Sequence, residues 1–195
     1  MKRETITIDI TSDGLNLLHH KKITNYKLKS VDNFIIINND LFIKEFTFII
    51  NSEKINNSLL TDNIQIIIDN SYPISYINYL ETLFKDLSFN KIIFKNINSI
   101  LKMNRNKIYV NISPKIIKIY YQQNVYNINI YFNKLEEILL LYLKELTSII
   151  DSDLIIIFGK NKGLKNLASN IEKELETKIY IYSYPEKVPI RQLLQ

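Results

Sequence analysis

The chain of 195 residues contains no cysteine. A disulfide framework and a thiolate metal site are thereby excluded, and the absence fits a reducing compartment. Glycine is nearly missing too, at three positions only, Gly14, Gly159 and Gly163. Loops that wrap phosphate with backbone N–H groups rely on glycine, because the chain must approach the ligand closely and often at positive φ. No apolar run approaches the roughly 18 residues of a membrane span, and Met1-Lys2-Arg3 leads into an alternating segment with Glu4 and Asp9, unlike a signal peptide. The expectation is a cytoplasmic protein without a membrane span. Asparagine is abundant, yet no Gly/Ser/Pro-rich linker occurs and apolar periodicity runs from end to end, which excludes a low-complexity chain.

What is present suffices for a core, since 46% of the residues are hydrophobic. The length suits one ordinary domain or two small ones. The net charge of +5 raises the question of nucleic acid. Lysine, isoleucine and asparagine are abundant together, as an AT-rich genome would encode them, and the basic residues are scattered among acidic ones. Local groups occur at His19-His20-Lys21-Lys22, at Lys102, Arg105 and Lys107, and at Lys160, Lys162 and Lys165. Spread charge binds phosphate weakly and without register, so nucleic-acid binding is the third-ranked reading.

The chain reads as if written twice. Ile6-Thr7-Ile8-Asp9-Ile10-Thr11-Ser12, running on to Leu17-Leu18 and Ile23, returns as Ile108-Tyr109-Val110-Asn111-Ile112-Ser113-Pro114, running on to Ile119-Tyr120 and Val125. In the first half, Thr5 to Thr11 alternates as a strand, Ser12-Asp13-Gly14 turns it and Leu15 to His19 returns. Asn33 to Ile37 and Leu41 to Ile50 are expected to extend the sheet. Ser52 is expected to cap a short helix through Leu60. Ile64 to Asp69 reads as a strand, and Tyr72-Pro73 introduces a helix with a buried stripe of Ile74, Ile77, Leu80, Phe84 and Leu87. A strand from Lys91 to Lys95 and a short helix from Ile97 to Leu101 follow.

The second half has three strands, Lys107 to Asn111, Ile116 to Tyr121 and Val125 to Phe132. Helix Leu135 to Ile150, strand Leu154 to Phe158, helix Leu164 to Glu176, strand Lys178 to Tyr182 and helix Ile190 to Leu194 follow. Ile64 to Ile68 and Leu154 to Phe158 are continuously apolar, as parallel strands covered on both faces would be. The fold class is α/β, in two related halves, residues 1–104 and 105–195, expected to face each other across a cleft.

A duplicated unit of this order, with an acidic strand-turn-strand opening each half, resembles the actin-like ATPase superfamily, which also holds sugar kinases and heat-shock chaperones. The nearer resemblance is to prokaryotic actin-like filament proteins of the rod-shape and division type. It implies two ribonuclease-H-like halves. Asp9-Ile10-Thr11-Ser12 matches the family's Asp-x-Gly-Ser/Thr phosphate motif with Thr11 for glycine, and Asn111-Ile112-Ser113-Pro114 matches the second such motif with Asn111 for aspartate. Ile66-Ile67-Ile68, Pro73 and its helix, then Lys91-Ile92-Ile93-Phe94, resemble the strand, helix and strand before the second phosphate loop. Leu154-Ile155-Ile156-Ile157-Phe158-Gly159, followed by Gly163-Leu164, resembles the adenosine motif with one of its paired glycines.

The resemblance implies Mg-ATP contacts at Asp9, Thr11, Ser12, Gly14, Asn111, Ser113, Lys115, Gly159, Lys160 and Gly163, with Asp9 the candidate catalytic and metal residue. The family sets two hairpin carboxylates around Mg²⁺ and the attacking water. Asn111 carries no charge, and Pro114 and Ile116 stiffen and fill the second loop. Hydrolysis is therefore expected to be absent or very slow, and nucleotide binding lost or weak. Only Ile23 to Ser52 is longer than its counterpart, so the chain reads as an actin-like core lacking most of the smaller subdomains.

Blander readings stand beside these. Asp9 is also what a satisfied turn carboxylate looks like. Lys160 and Lys162 precede a helix N-terminus that could attract phosphate, or lie in a solvated loop. His19 and His20 are adjacent on a strand and are expected on opposite faces at the surface, which argues against a joint metal site. The helix from Leu135 is apolar nearly all round, and Leu140, Leu141 and Leu143 are expected either to pack between the halves or to meet a partner. Tyr120, Tyr121, Tyr126 and Tyr131 are candidates for packing or an interface. Val188 to Leu194 reads as a docking peptide or as a segment closing the sheet. The leading functional expectation is assembly with itself or with a cytoskeletal, division or pilus-type partner and no cofactor; an active ATP- and Mg-dependent filament protein is the alternative.

Overall fold

A computed structural model describes residues 5–53, 55, 63–101, 106–130, 134–149, 152, 154–159 and 163–181. Their first compact unit ends at Ile100 and the second begins at Leu101. The boundary expected at residue 104 lies outside the described residues, as do Tyr131, Phe132, Lys160, Lys162 and the segment from 182 onward.

In the first unit β1 (Thr5–Thr11), β2 (Gly14–His19) and β3 (Lys22–Lys27) form an antiparallel meander, and β4 (Val31–Asp32) and β5 (Ile35–Ile36) pair as a separate small hairpin. α1 (Asn39–Ser52), β6 (Asn63–Ile68), α2 (Ile74–Asp86), β7 (Lys91–Asn96) and α3 (Ile97–Ile100) follow. β6 lies parallel between β1 and β7, giving five strands in the order β3-β2-β1-β6-β7. The second unit has β8 (Lys107–Ile112), β9 (Ile116–Tyr121), β10 (Asn124–Asn129), α4 (Leu135–Ile149), β11 (Leu154–Gly159), α5 (Leu164–Leu175) and β12 (Ile179–Ile181). Its five strands run β10-β9-β8-β11-β12, with β11 parallel between β8 and β12, so the duplication seen in sequence is a duplication of topology.

Period-two alternation sets the faces. Ile6, Ile8 and Ile10 of β1 join Leu15, Leu17, Ile64 and Ile66 under α1 and α2, while Thr7, Asp9 and Thr11 point to the other face. The second core repeats this with Ile108, Val110, Ile112, Ile117, Ile119, Ile155 and Ile157 against Leu139, Leu143 and Leu146 of α4 and Leu167, Ala168 and Ile171 of α5.

Several expectations in the first half are corrected. Leu41 to Ile50 is helical, because Phe42, Phe46, Ile49 and Ile50 fall on one helical stripe and all four are buried. The Asn38 side chain accepts from Leu41 N–H at 3.0 Å and starts that helix. Ser52 therefore ends α1 instead of opening a helix, its hydroxyl donating to the Ile49 carbonyl at 2.9 Å. Asn33 to Ile37 does not extend the main sheet, since only Ile35 and Ile36 are strand and they pair with β4. That excursion is fastened by α2 and the turn before it, where the Tyr76 hydroxyl of the helix accepts from Ile36 N–H at 2.9 Å and the Tyr72 hydroxyl of the turn donates to the Phe34 carbonyl at 2.9 Å. Ile74, placed in the buried stripe of α2, is 72% exposed; Leu83 takes its role in the core.

His19 is buried at the end of β2 and His20 sits in the following turn at φ 47°, bringing the rings to 3.9 Å instead of onto opposite faces. Among the described residues no helix is long and apolar enough to cross a membrane.

Candidate functional site

The opening hairpin of each unit can be compared position by position. β1 and β2 are joined by Ser12 and Asp13, with Thr11 opposite Gly14 and Asp9 opposite Asn16. β2 in turn sets Asn16 opposite Asn25 of β3. A straight polar row thus crosses three strands. Asn25 donates through Nδ2 to Asn16 Oδ1 at 3.0 Å, and Asn16 donates through Nδ2 to Asp9 Oδ2 at 3.3 Å. Asp9 is 8% exposed and Asn16 fully buried, so these amides orient the carboxylate away from bulk water. Further along β1 on the same face, Thr11 Oγ1 is buried with no hydrogen-bond partner among the described residues.

The carbonyls of the first turn are committed to structure, with Ser12 O accepting from Asn33 N–H at 2.8 Å and Asp13 O from Leu28 N–H at 3.0 Å. Gly14 is required by packing. A Cβ there would lie 1.9 Å from the carbonyl oxygen of Tyr26 on β3, and its φ is not positive. The Tyr26 hydroxyl donates to the Glu53 carboxylate, and burial together with that carboxylate pushes the phenol up to about 12.

The second hairpin keeps the register and changes the chemistry. Asn111 lies opposite Lys118, and Lys118 opposite Asn127 of β10. The row that reads Asp9, Asn16, Asn25 in the first unit therefore reads Asn111, Lys118, Asn127 in the second. Lys118 is 4% exposed. Its turn is closed by Ser113, whose N–H and hydroxyl both donate to the Ile116 carbonyl, at 2.9 and 2.8 Å, while the hydroxyl accepts from Ile116 N–H at 3.0 Å. The exposed Lys115 contributes its carbonyl to Ile130 N–H at 2.8 Å.

At the end of β11, Gly159 adopts φ 132° and pairs with Ile112, and a Cβ would lie 1.9 Å from the Ile112 carbonyl oxygen. Gly163 precedes α5 at φ 98°, and a Cβ there would meet nothing within 4 Å, so only its backbone angle calls for glycine.

No protein-family model and no curated protein matches the chain. Solved structures do. The ethanolamine utilization protein EutJ from Carboxydothermus hydrogenoformans is 9% identical at a TM-score of 0.70, over 97% of this chain and 88% of that one. MreB 5 of Spiroplasma citri bound to AMPPNP is 8% identical at 0.70, over 99% and 95%. A MamK double helical filament is 8% identical at 0.68, over 98% of each. The chain has the actin-like ATPase fold.

Tested against the Mg-nucleotide that this actin-like fold implies, the hairpins fit poorly. Magnesium takes carboxylate and water oxygens. On the strand row of the first hairpin the carboxylate is Asp9, already bonded by Asn16, and the matching row of the second offers Asn111 beside a buried ammonium. Asn16, Asn25 and Lys118 escaped the sequence reading. Once the two-residue turns are recognised, the alignment of the two hairpins places Asn16 opposite Asp9 and Lys118 opposite Asn111, and the third strand then brings Asn25 opposite Asn16.

The surface expected on α4 narrows. Leu143 is fully buried in the core of the second unit and Tyr120 is 1% exposed, so neither can meet a partner. Leu140 is half-buried against that core; Leu141 is 66% exposed. One-sided amphipathicity replaces the all-round apolar helix, because its third helical face carries Glu137, Lys144 and Ser148.

Proposed function

We infer that the chain is a minimal actin-like protein that works by assembling with itself or with a cytoskeletal, division or pilus-type partner, and that it hydrolyses ATP very slowly or not at all. The observation that carries this reading is Lys118 opposite Asn111. In the first unit the same two positions hold a carboxylate and the amide that orients it. A buried ammonium repels a divalent cation where the family's second carboxylate would organise one. Ser113 adds to this, since its hydroxyl and N–H are spent on closing their own turn. That one structural neighbour is a filament supports assembly as the mode of action.

Sedimentation with and without Mg-ATP, paired with calorimetric titration of Mg-ATP, tests this. Assembly that is independent of nucleotide, with no phosphate release, is the expected result; micromolar binding with turnover would overturn it.

One observation favours a second reading, in which nucleotide is still bound. The unpartnered Thr11 hydroxyl, on the same face as Asp9, is a polar atom that a ligand could satisfy. Thr11→Val separates the two. With no ligand, losing an unsatisfied hydroxyl leaves stability unchanged or raises it by about 1 kcal/mol, and assembly is unaffected. If nucleotide is bound there, the same variant weakens Mg-ATP binding in the titration.

A further inference from the structure

β10 is the outermost strand of its sheet, and no described strand pairs with its free side. Edge strands usually carry a charge, a proline or a bulge, or are kept very short, because their unpaired N–H and C=O groups otherwise template another chain. The other described edges of the two main sheets follow this rule. β3 has Lys22 and Lys27 at its ends, β7 carries Lys91 and Lys95, and β12 has three residues among those described. β10 has none of these devices, and no charged residue occurs between Lys118 and Lys134.

The register identifies the free groups. β10 pairs antiparallel with β9, from Asn124 opposite Tyr121 to Asn129 opposite Ile116, and Ile130 N–H continues the ladder by donating to the Lys115 carbonyl at 2.8 Å. Hydrogen-bonding residues alternate along an antiparallel strand. Tyr126, Ile128 and Ile130 therefore direct their backbone groups toward β9, and Val125, Asn127 and Asn129 direct theirs away. That outward set is symmetric about Asn127. Two β10 strands running antiparallel about a two-fold axis at Asn127 thus satisfy every outward group, Val125 of each copy pairing with Asn129 of the other and Asn127 with its own equivalent. The same register sets Tyr126 of one copy opposite Ile128 of the other, an aromatic and β-branched pair of the kind that stabilises sheets. Tyr126 is 37% exposed and has surface left to cover.

We propose that β10 is a homotypic docking edge through which two copies of the chain join their five-stranded sheets into one continuous sheet. The proposal rests on the assembly reading above and names the surface involved. An acidic or basic peptide would find no counter-charge on this strand, whereas a second copy matches its hydrogen-bond pattern and meets no like charge.

The absence of cysteine supplies the test. Asn127 is exposed, so Asn127→Cys introduces a single thiol without disturbing the core. Directly hydrogen-bonded partners in an antiparallel pair have Cα atoms about 5.5 Å apart, inside the roughly 4.4–6.8 Å that a disulfide spans. Under mild oxidation the full-length variant should run as a covalent dimer of twice the 23.1 kDa chain mass, while Gln123→Cys, in the exposed turn away from the axis, stays monomeric. Asn127→Lys sets two ammonium groups across the axis and should return the non-covalent dimer to monomer in sedimentation. If the unmodified chain assembles but Asn127→Cys links no faster than Gln123→Cys and Asn127→Lys leaves the sedimentation unchanged, assembly stands and this edge is overturned. If the unmodified chain stays monomeric across its soluble range, the assembly reading and the docking edge fall together.

Discussion

Gly159→Ala is expected to unfold the second unit, seen as loss of its share of the cooperative thermal transition in circular dichroism. Gly159 ends β11 at φ 132°, a region that L residues enter only with strain. The added Cβ would sit 1.9 Å from the oxygen, 2.5 Å from the nitrogen and 2.6 Å from the carbon of Ile112. These are backbone atoms of the neighbouring strand, so no rotamer change relieves the clash. Relief requires β8 and β11 to part, and that pairing runs from Leu154 to Gly159 through the middle of the sheet. A cost above about 4 kcal/mol belongs to the exceptional class of single substitutions, and it is comparable with the whole stability of a small domain, about 5–15 kcal/mol. Gly163→Ala is the control. Its φ of 98° is also left-handed, yet the space around it is open, so the variant should cost only about 1–2 kcal/mol and remain folded. The contrast bears on function. Gly14 and Gly159 are both demanded by backbone approaching backbone, so their presence in phosphate-like motifs is accounted for without a nucleotide.

Strands were legible in the sequence wherever alternation met a clear turn. β1 spans Thr5 to Thr11 and β9 Ile116 to Tyr121, as the apolar pattern alone indicates. α1 was not, because Leu41 to Ile50 is rich in isoleucine and phenylalanine, residues that favour strands, while the spacing of Phe42, Phe46, Ile49 and Ile50 is helical. Here tertiary burial of a 3.6-residue stripe against the sheet overrode local propensity. For the site, Asp9 and Asn111 stood out through their place in the repeat, but Lys118 looked like one more scattered lysine. Its significance depends on cross-strand register, which the turn lengths fix and composition does not. Leu143 and Leu141 show the same limit from the other side. Both belong to one apolar run, and which faces the core follows from the direction of α4 against the sheet, which the run does not encode.

Phe84→Ala is expected to lower the thermal midpoint of the first unit by roughly 20 °C, at 4–8 °C per kcal/mol for a unit of about 100 residues. Phe84 is fully buried on α2 and stands edge-on to Phe42 and Phe46 of α1, at 6.0 and 5.5 Å between ring centroids, and to Phe89 at 6.0 Å. Phe42 and Phe46 stack on each other at 5.6 Å, so Phe84 closes an aromatic cluster that holds both helices against the sheet. Truncation removes the transfer energy of the ring and leaves a cavity that the surrounding helices and sheet cannot collapse to fill, about 3–5 kcal/mol in all. Lost edge-to-face contacts are part of that figure, about 0.5–1.5 kcal/mol for each pair. Phe84→Leu keeps most of the volume and should recover more than half of the shift. The second unit, whose core shares no residue with this cluster, provides the internal reference. Amide exchange in β8, β9 and β11 should remain slow in Phe84→Ala while that in β1, β2 and β6 accelerates, and equal acceleration in both sets would show that the two cores unfold as one.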